Sequence, residues 1–582
     1  MGEMHKFTAP RRSFEGRVPS IVVDKGEIET EAKIPLPAMT RSGYNEPAQA
    51  SRCVDCGTAP CFQGVGKDAQ GCPFSRPIPD IHEREVEAEK ILRQAFEALK
   101  ALDPETAKQL EAEIRDINHP DAPFLRARFP IKVFNALEGA NFALVKDWRE
   151  AFDSNMRIAF DFSREKGPMG DIYGRICPES LCEKSCTTAF SGHGAITIRM
   201  NETILWDYAW ESGWVQPIDP KADKGKNILI VGSGFAGYAA AERLCEEGYQ
   251  VTIVERNEAP GERGNDQILQ YKSLQERFER HYDRLETSGV NIVLNTEVGG
   301  DEAHSLKALK ERFNADAILI TSGAPKAKLF HLNGDAADNL VPWNQFTRAQ
   351  QDLGRTGKDL PENLNAKDKV VAVIGTADTA VDCVRTAALE GAREVIVISR
   401  HDKQSAADMD AVNAMHKEAG SRFKFQAWMS PENLSYTDDG SRMVLSGNDN
   451  EEGHEGRHRL EVDMVVSAVG SETGDQKEIF GLKDASLKKD GSFDVVGVPR
   501  EIADNNPIRG VGAGFVTMLD DAFVLAAGQS VRGGNSLAAV CGRDGRDAAN
   551  WLMQQLERND GHLPFEGLYA LSSKVPLAQK LG

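Results

Sequence analysis

A short apolar strand that runs through a glycine turn straight into a helix occurs twice in this 582-residue chain, and it limits the possible folds more sharply than any other feature. The first copy predicts a strand over 227–231, a turn at Gly232-Ser233-Gly234-Phe235-Ala236-Gly237, a helix over 238–247 and a strand over 250–255. The second predicts a strand over 370–374, a turn at Gly375-Thr376-Ala377-Asp378-Thr379-Ala380, a helix over 379–390 and a strand over 394–399. Each is a βαβ unit, which implies parallel strands in a buried sheet. Further apolar runs at 316–323 and after Val462 read as the strands that close the first and second domains. With a return to the first domain near the C-terminus, one nucleotide-binding domain is expected to lie inside another.

The first turn has the G-x-G-x-x-G form in the context that gives it meaning. Gly232 permits the tight turn, Gly234 lets a pyrophosphate approach the backbone, and Gly237 lets helix and strand pack closely. The helix N-terminus then faces the phosphates. Glu255, at the end of the next strand, suits a carboxylate that accepts hydrogen bonds from a ribose. The second turn departs from the pattern, because Ala377 puts a methyl where the second glycine belongs. Its following strand ends in Ser399-Arg400-His401 without an acid, and Arg400 pairs more readily with a 2′-phosphate than a carboxylate would. A domain that keeps this fold without binding nucleotide is the alternative.

A chain of this length exceeds one hydrophobic core and predicts about three domains. The net charge of −20 excludes a polyanionic partner such as nucleic acid, since no basic footprint is clustered. No apolar run is long enough for a transmembrane helix, and the start of the sequence lacks the apolar stretch of a secretory signal, so the cytoplasm is expected. Residues 80–130 are charged and read as a solvated amphipathic helix pair.

Seven of the ten cysteines crowd into two stretches before residue 190. The first carries Cys53, Cys56, Cys61 and Cys72-Pro73, and the second Cys177-Pro178, Cys182 and Cys186. In a reducing compartment such clusters read as metal or iron–sulfur ligands before disulfides. Soft thiolates match iron, and four of them serve zinc equally well. Seven fit one closed zinc site badly, and fit two cubanes with one non-cysteine ligand better; spacing alone leaves both open.

The runs RCVDCGTAPC, GRICP and LCEKSC, the GSGFAG turn and the ADTAVDCVRTA helix together resemble the glutamate synthase small (beta) subunit family, which is related to the N-terminal half of dihydropyrimidine dehydrogenase. The resemblance extends from about Glu46 to Ala549. It implies an α/β fold: an N-terminal helical iron–sulfur domain at 1–215, with an insertion at about 80–130, followed by two interleaved Rossmann-like domains of glutathione-reductase type. FAD is expected at 216–345 and 501–582, the latter including a C-terminal tail, and NAD(P) at 346–500. One 4Fe-4S cluster would use Cys53, Cys56, Cys61 and Cys186. A second would use Cys72, Cys177, Cys182 and the side chain of Glu202. NADPH, or NADH, would give a hydride to FAD, with no side chain acting as acid, base or nucleophile.

Some positions depart from the family's pattern. The Cys61–Cys72 interval is longer, about sixty residues are inserted between Cys72 and Cys177, and the paired glycines after the ribose acid read Gly261-Glu262. The family's C-terminal Gly-Asp, beside the FAD ribityl-phosphate, reads Gly528-Gln529. The first functional expectation is the small subunit of a glutamate synthase, feeding a large catalytic subunit. The second is a subunit with the same cofactors serving another reductase, and the third a cofactor-poor scaffold.

Overall fold

The computed structural model describes residues 53, 61, 71–115, 122–178, 181–187, 195–261, 268–269, 273, 275–356, 360–401, 422–452, 456–497, 511–534 and 536–557. These form two compact units, one ending at Gln216 and the other beginning at Pro217. Cys56 and Glu262 lie outside the described residues.

The first unit is helical. Its principal helices are α1 (Ile78–Leu102), α2 (Pro104–Arg115), α3 (Ala122–Gly139), α4 (Val145–Lys166), α5 (Gly170–Ile176) and α6 (Ile198–Glu211). Asp103 separates α1 from α2: its carboxylate accepts from the Thr106 N–H at 3.1 Å and the Thr106 hydroxyl at 2.6 Å, while Pro104 takes the first helical position. The expected helix pair at 80–130 is therefore three helices. They are not merely solvated, because Ala88, Ala95, Leu99, Ala107, Leu110 and Ala127 pack into one core with Phe134, Phe152, Phe160 and Trp206. Charge hid this in the sequence: i,i+3 and i,i+4 pairs such as Lys90–Glu87 and Arg93–Glu89 are interspersed with the buried positions, and Glu89 is itself buried.

The second unit holds two main sheets. The first has seven strands in the order Val496–Gly497, Ala513–Leu519, Ala522–Ala527, Ala317–Ile320, Asn227–Val231, Gln250–Val254, Asn291–Val293. Its five strands from Ala522–Ala527 onward run parallel. The second has five parallel strands in the order Leu340–Pro342, Met464–Ser467, Val370–Ile374, Glu394–Ile398, Arg422–Gln426. Strands of the parallel core such as Val370–Ile374 and Ala317–Ile320 are buried along their whole length, as a sheet covered on both faces requires.

The chain enters the second sheet at Leu340, ahead of residue 346, and leaves it at Ser467, well before 500. Phe480, Leu482, Ala485 and Phe493 share one core with Leu229, Ile318 and Val524 of the first sheet. Both crossings lie side by side, where Lys326–Ala327 pairs antiparallel with Ser471–Glu472. A three-stranded antiparallel sheet (Met429–Tyr436, Met443–Asp449, Arg457–Val462) extends the second domain and was not expected.

Candidate functional site

At the first turn the structure separates three glycine roles. Gly232 has φ +96°, and a β-carbon there would stand 2.9 Å from the Thr321 carbonyl oxygen. A β-carbon on Gly237 would meet the Gly232 carbonyl oxygen at 2.1 Å, so helix and turn touch through backbone alone. Around Gly234, in contrast, no other described residue beyond its chain neighbours and its own helix comes within 4 Å of such a carbon. The helix Phe235–Glu246 starts there, with Gly234 as an N-cap that has no side chain of its own to cap it. A helix N-terminus of this kind, approached through a glycine, is where backbone N–H groups can face an anion.

Glu255 is buried at the end of the adjacent strand. One of its oxygens accepts from the Ser233 N–H at 3.0 Å and the Ser233 hydroxyl at 2.5 Å, the other from the Asn257 N–H at 3.0 Å. The second oxygen keeps a lone pair for a ribose. Ser233 also takes the Gly261 N–H on its hydroxyl oxygen at 2.8 Å and the Tyr282 hydroxyl on its carbonyl at 2.6 Å. Ser233 and Tyr282 brace this turn, and sequence reasoning gave them no part in it; only the x of G-x-G marked the first. Gly528 has φ +68°, and Gln529 is buried beside it. The Gln529 amide oxygen accepts from the Ala324 N–H at 3.2 Å and its nitrogen donates to the Gly534 carbonyl at 3.2 Å. The amide thus ties two loops together, a bridge that a carboxylate, having no donor, makes on one side only.

At the second turn Gly375 has φ +128°, and a β-carbon would lie 2.4 Å from the Ala468 carbonyl oxygen. Ala380 is buried and Ala377 is exposed at the N-cap of the helix Asp378–Leu389. Asp378, also exposed, places a negative charge in the first helical turn, where it competes with any bound phosphate. Arg400 is exposed just past the strand Glu394–Ile398, and the neighbouring His401 ring stands edge-on to Trp428 at 6.3 Å.

In the helical unit the thiols converge. Cys61, Cys182 and Cys186, all 7% exposed or less, share one apolar cluster with Ile78, Ile196 and Ile198, and Cys53 and Cys72 pack against it. The Cys72 N–H donates to the Cys61 carbonyl at 2.9 Å, and the Gly71 N–H to the Ser185 hydroxyl at 3.0 Å, which ties the two cysteine stretches together. Burial pushes the Cys177 thiol up, and the Glu202 carboxylate and Cys72 push it further. Cys182 is raised by burial and by Glu183, and the buried Glu202 carboxyl is raised by burial. Glu202 thus acts on Cys72 and Cys177, and Cys72 and Cys177 both act on Cys182, which puts these groups within electrostatic reach of one another. Among the described residues no three His, Cys, Asp or Glu side chains close on a single-ion position. This donor chemistry, soft sulfur with one carboxylate in an apolar nest, fits iron–sulfur ligation.

Two buried guanidiniums absent from the sequence-level site flank this set. Arg76 pairs with Glu202. Arg199 donates to the Cys177 carbonyl at 2.6 Å and to Glu183 at 2.9 Å. Their positions, four residues after Cys72 and three before Glu202, were the only available signal.

Comparison with known proteins agrees with this architecture. Residues 226–495 match the pyridine nucleotide-disulphide oxidoreductase family, and residues 145–214 match dihydropyrimidine dehydrogenase domain II, 4Fe-4S cluster. The chain is 32% identical to the glutamate synthase (NADPH) small chain of Azospirillum brasilense, over 70% of this chain and 83% of that one. It is 32% identical to the NADPH-Fe(3+) oxidoreductase subunit beta of Geobacter sulfurreducens, over 48% of this chain and 40% of that one. Thioredoxin reductase of T. acidophilum aligns with 57% of this chain and 99% of its own at 17% identity and a TM-score of 0.39. The two nucleotide folds and the cysteine nest are those of an NAD(P)H-dependent iron–sulfur flavoprotein oxidoreductase. The chain belongs to the glutamate synthase small-chain family. Among the described residues no helix is long and apolar enough to cross a membrane.

Proposed function

We propose that this chain is the NADPH-oxidising, electron-delivering subunit of a glutamate synthase, with FAD and two 4Fe-4S clusters and a large catalytic subunit as its partner. The observation that carries the reading is the gathering of cysteines from both stretches into one buried apolar cluster. Gly232, Gly234 and Gly237 shape the FAD pyrophosphate turn, Glu255 takes the ribose, and Gly528 with Gln529 closes the flavin side. Gly375, Ala377 and Ala380 form the NADPH turn, where Arg400 reads the 2′-phosphate. Cys53, Cys56, Cys61 and Cys186 hold one cluster; Cys72, Cys177, Cys182 and Glu202 hold the other. Bound FAD supplies the conversion of a two-electron hydride donor into single electrons. The protein's own contribution is placement and exclusion of water, with no side chain required as acid or nucleophile. A cytoplasmic location is part of the same proposal.

A second reading, an electron-transfer subunit of another reductase, is favoured by the likeness to the NADPH-Fe(3+) oxidoreductase subunit. Anaerobic titration with NADPH, then NADH, is expected to bleach flavin absorbance; no bleaching by either rejects both readings. Co-purification with a large amidotransferase subunit and glutamate formation by the pair selects the first. Capture of a different reductase selects the second. Cys61→Ser is expected to lower iron content and leave FAD in place, since the thiols and the Gly232 turn belong to separate units.

A further inference from the structure

Arg76 is 3% exposed and spends every arm of its guanidinium. Its Nε donates to the Ser163 carbonyl at 3.2 Å, and one Nη donates to the Gly167 and Pro168 carbonyls, both at 3.0 Å. Its other Nη pairs with Glu202, and its Cζ lies 5.0 Å from the Phe74 ring centre. The three carbonyls are neutral, so among the described residues the ion pair of Arg76 is with Glu202, and that carboxylate is itself the candidate fourth ligand. Arg199 differs, because its charge is already balanced by Glu183, which is not a candidate ligand. Asp171 is the other buried acid that acts on Glu202.

We propose that Arg76 is a positioning residue for the cluster site of Cys72, Cys177, Cys182 and Glu202: it fixes the Glu202 carboxylate and, as a buried positive charge, makes one-electron reduction there easier. The inference rests on the two-cluster reading above. Reduction adds one electron and one negative charge, with no bond made or broken and no proton required, and a fixed cation in a low-dielectric interior offsets that charge. The reducing electron originates from NAD(P)H in the enzyme and from dithionite in the test.

The experiment is an EPR-monitored dithionite titration of the full chain, prepared anaerobically, beside R76Q and R76K. R76Q is expected to keep its iron and sulfide and to lower the reduction constant of one cluster about tenfold, a 59 mV fall for a one-electron couple. The other cluster's signal stays unchanged and serves as the internal control. R76K, which keeps the charge, is expected to restore the constant to within about twofold of the parent. R76Q with full iron and the parental midpoint overturns the proposal. If R76Q does not retain its iron, R76K decides: full iron and a near-parental midpoint support the charge role, whereas loss of iron there too means that Arg76 serves only the fold. Zinc in the parent, or fewer than two clusters, refutes the underlying reading instead, so the two failures are distinguishable.

Discussion

The turns at Gly232 and Gly375 start from the same backbone grammar and solve different problems. In the first, Gly237 is demanded by the protein itself, because its helix rests on the Gly232 carbonyl with no room for a methyl. In the second, Ala380 fills the equivalent place, with its β-carbon 3.6 Å from where one on Gly375 would stand. The middle positions teach the converse. No other described residue crowds Gly234, so the fold itself does not demand a glycine there. Ala377 is exposed, so its methyl is not held in the core.

The two helices also end differently. Glu247 terminates the first, where a hydrogen bond from Lys221 holds its carboxyl below the usual range. Glu390 terminates the second, where burial pushes the carboxyl up to about 7 despite the Ala366 N–H that donates to it at 2.6 Å.

The largest test of this contrast is Gly237→Ala, expected to destabilise the second unit by about 3 kcal/mol because the clash is with backbone that cannot rotate away. Denaturant unfolding within about 0.5 kcal/mol of the parent refutes the close contact. Glu390→Gln is expected to stabilise the protein by about 1–2 kcal/mol at pH 8, a figure discounted for partial exposure. The sign follows from the raised folded pKa: the protonated carboxyl favours folding below the unfolded value, and that advantage fades as pH rises through about 7. Its gain should vanish near pH 4, and the same gain at both pH values is incompatible with this origin.

Gly234→Ala should leave unfolding unchanged and weaken FAD retention about tenfold, roughly 1.4 kcal/mol, read as flavin content after dilution. Equal retention by parent and variant removes Gly234 from the pyrophosphate site. The smallest effect belongs to Ala377→Gly, expected to tighten NADPH binding about threefold at little cost, since glycine is tolerated at an N-cap. A weaker affinity shows that the methyl is not the obstacle, and turns attention to Asp378.

Much of the nucleotide architecture was readable because it is local. Strand, turn and helix at 227–246 follow from apolar runs and glycine spacing within twenty residues, and the roles of Gly232, Gly234 and Gly237 follow from backbone sterics. The sheet at 429–462 escaped because Pro431 argues against a strand, and the chain accommodates it beside a break in register between Pro431 and Asn433. Leu340–Pro342 escaped because three residues carry no periodic signal, and they are a strand only through pairing with Val465–Ser467, far along the chain.

The sequence by itself determined the two βαβ units, the thiol-rich character of the N-terminal region and the family, because each rests on residues whose spacing carries the chemistry. Only tertiary structure decided where the domains exchange chain, that the charged segment at 78–115 supplies core, and that Arg76 meets Glu202. Those outcomes depend on burial and on contacts between residues more than a hundred positions apart, where the cost of stranding a charge away from water selects its partner. Spacing along a chain does not encode that selection; packing does.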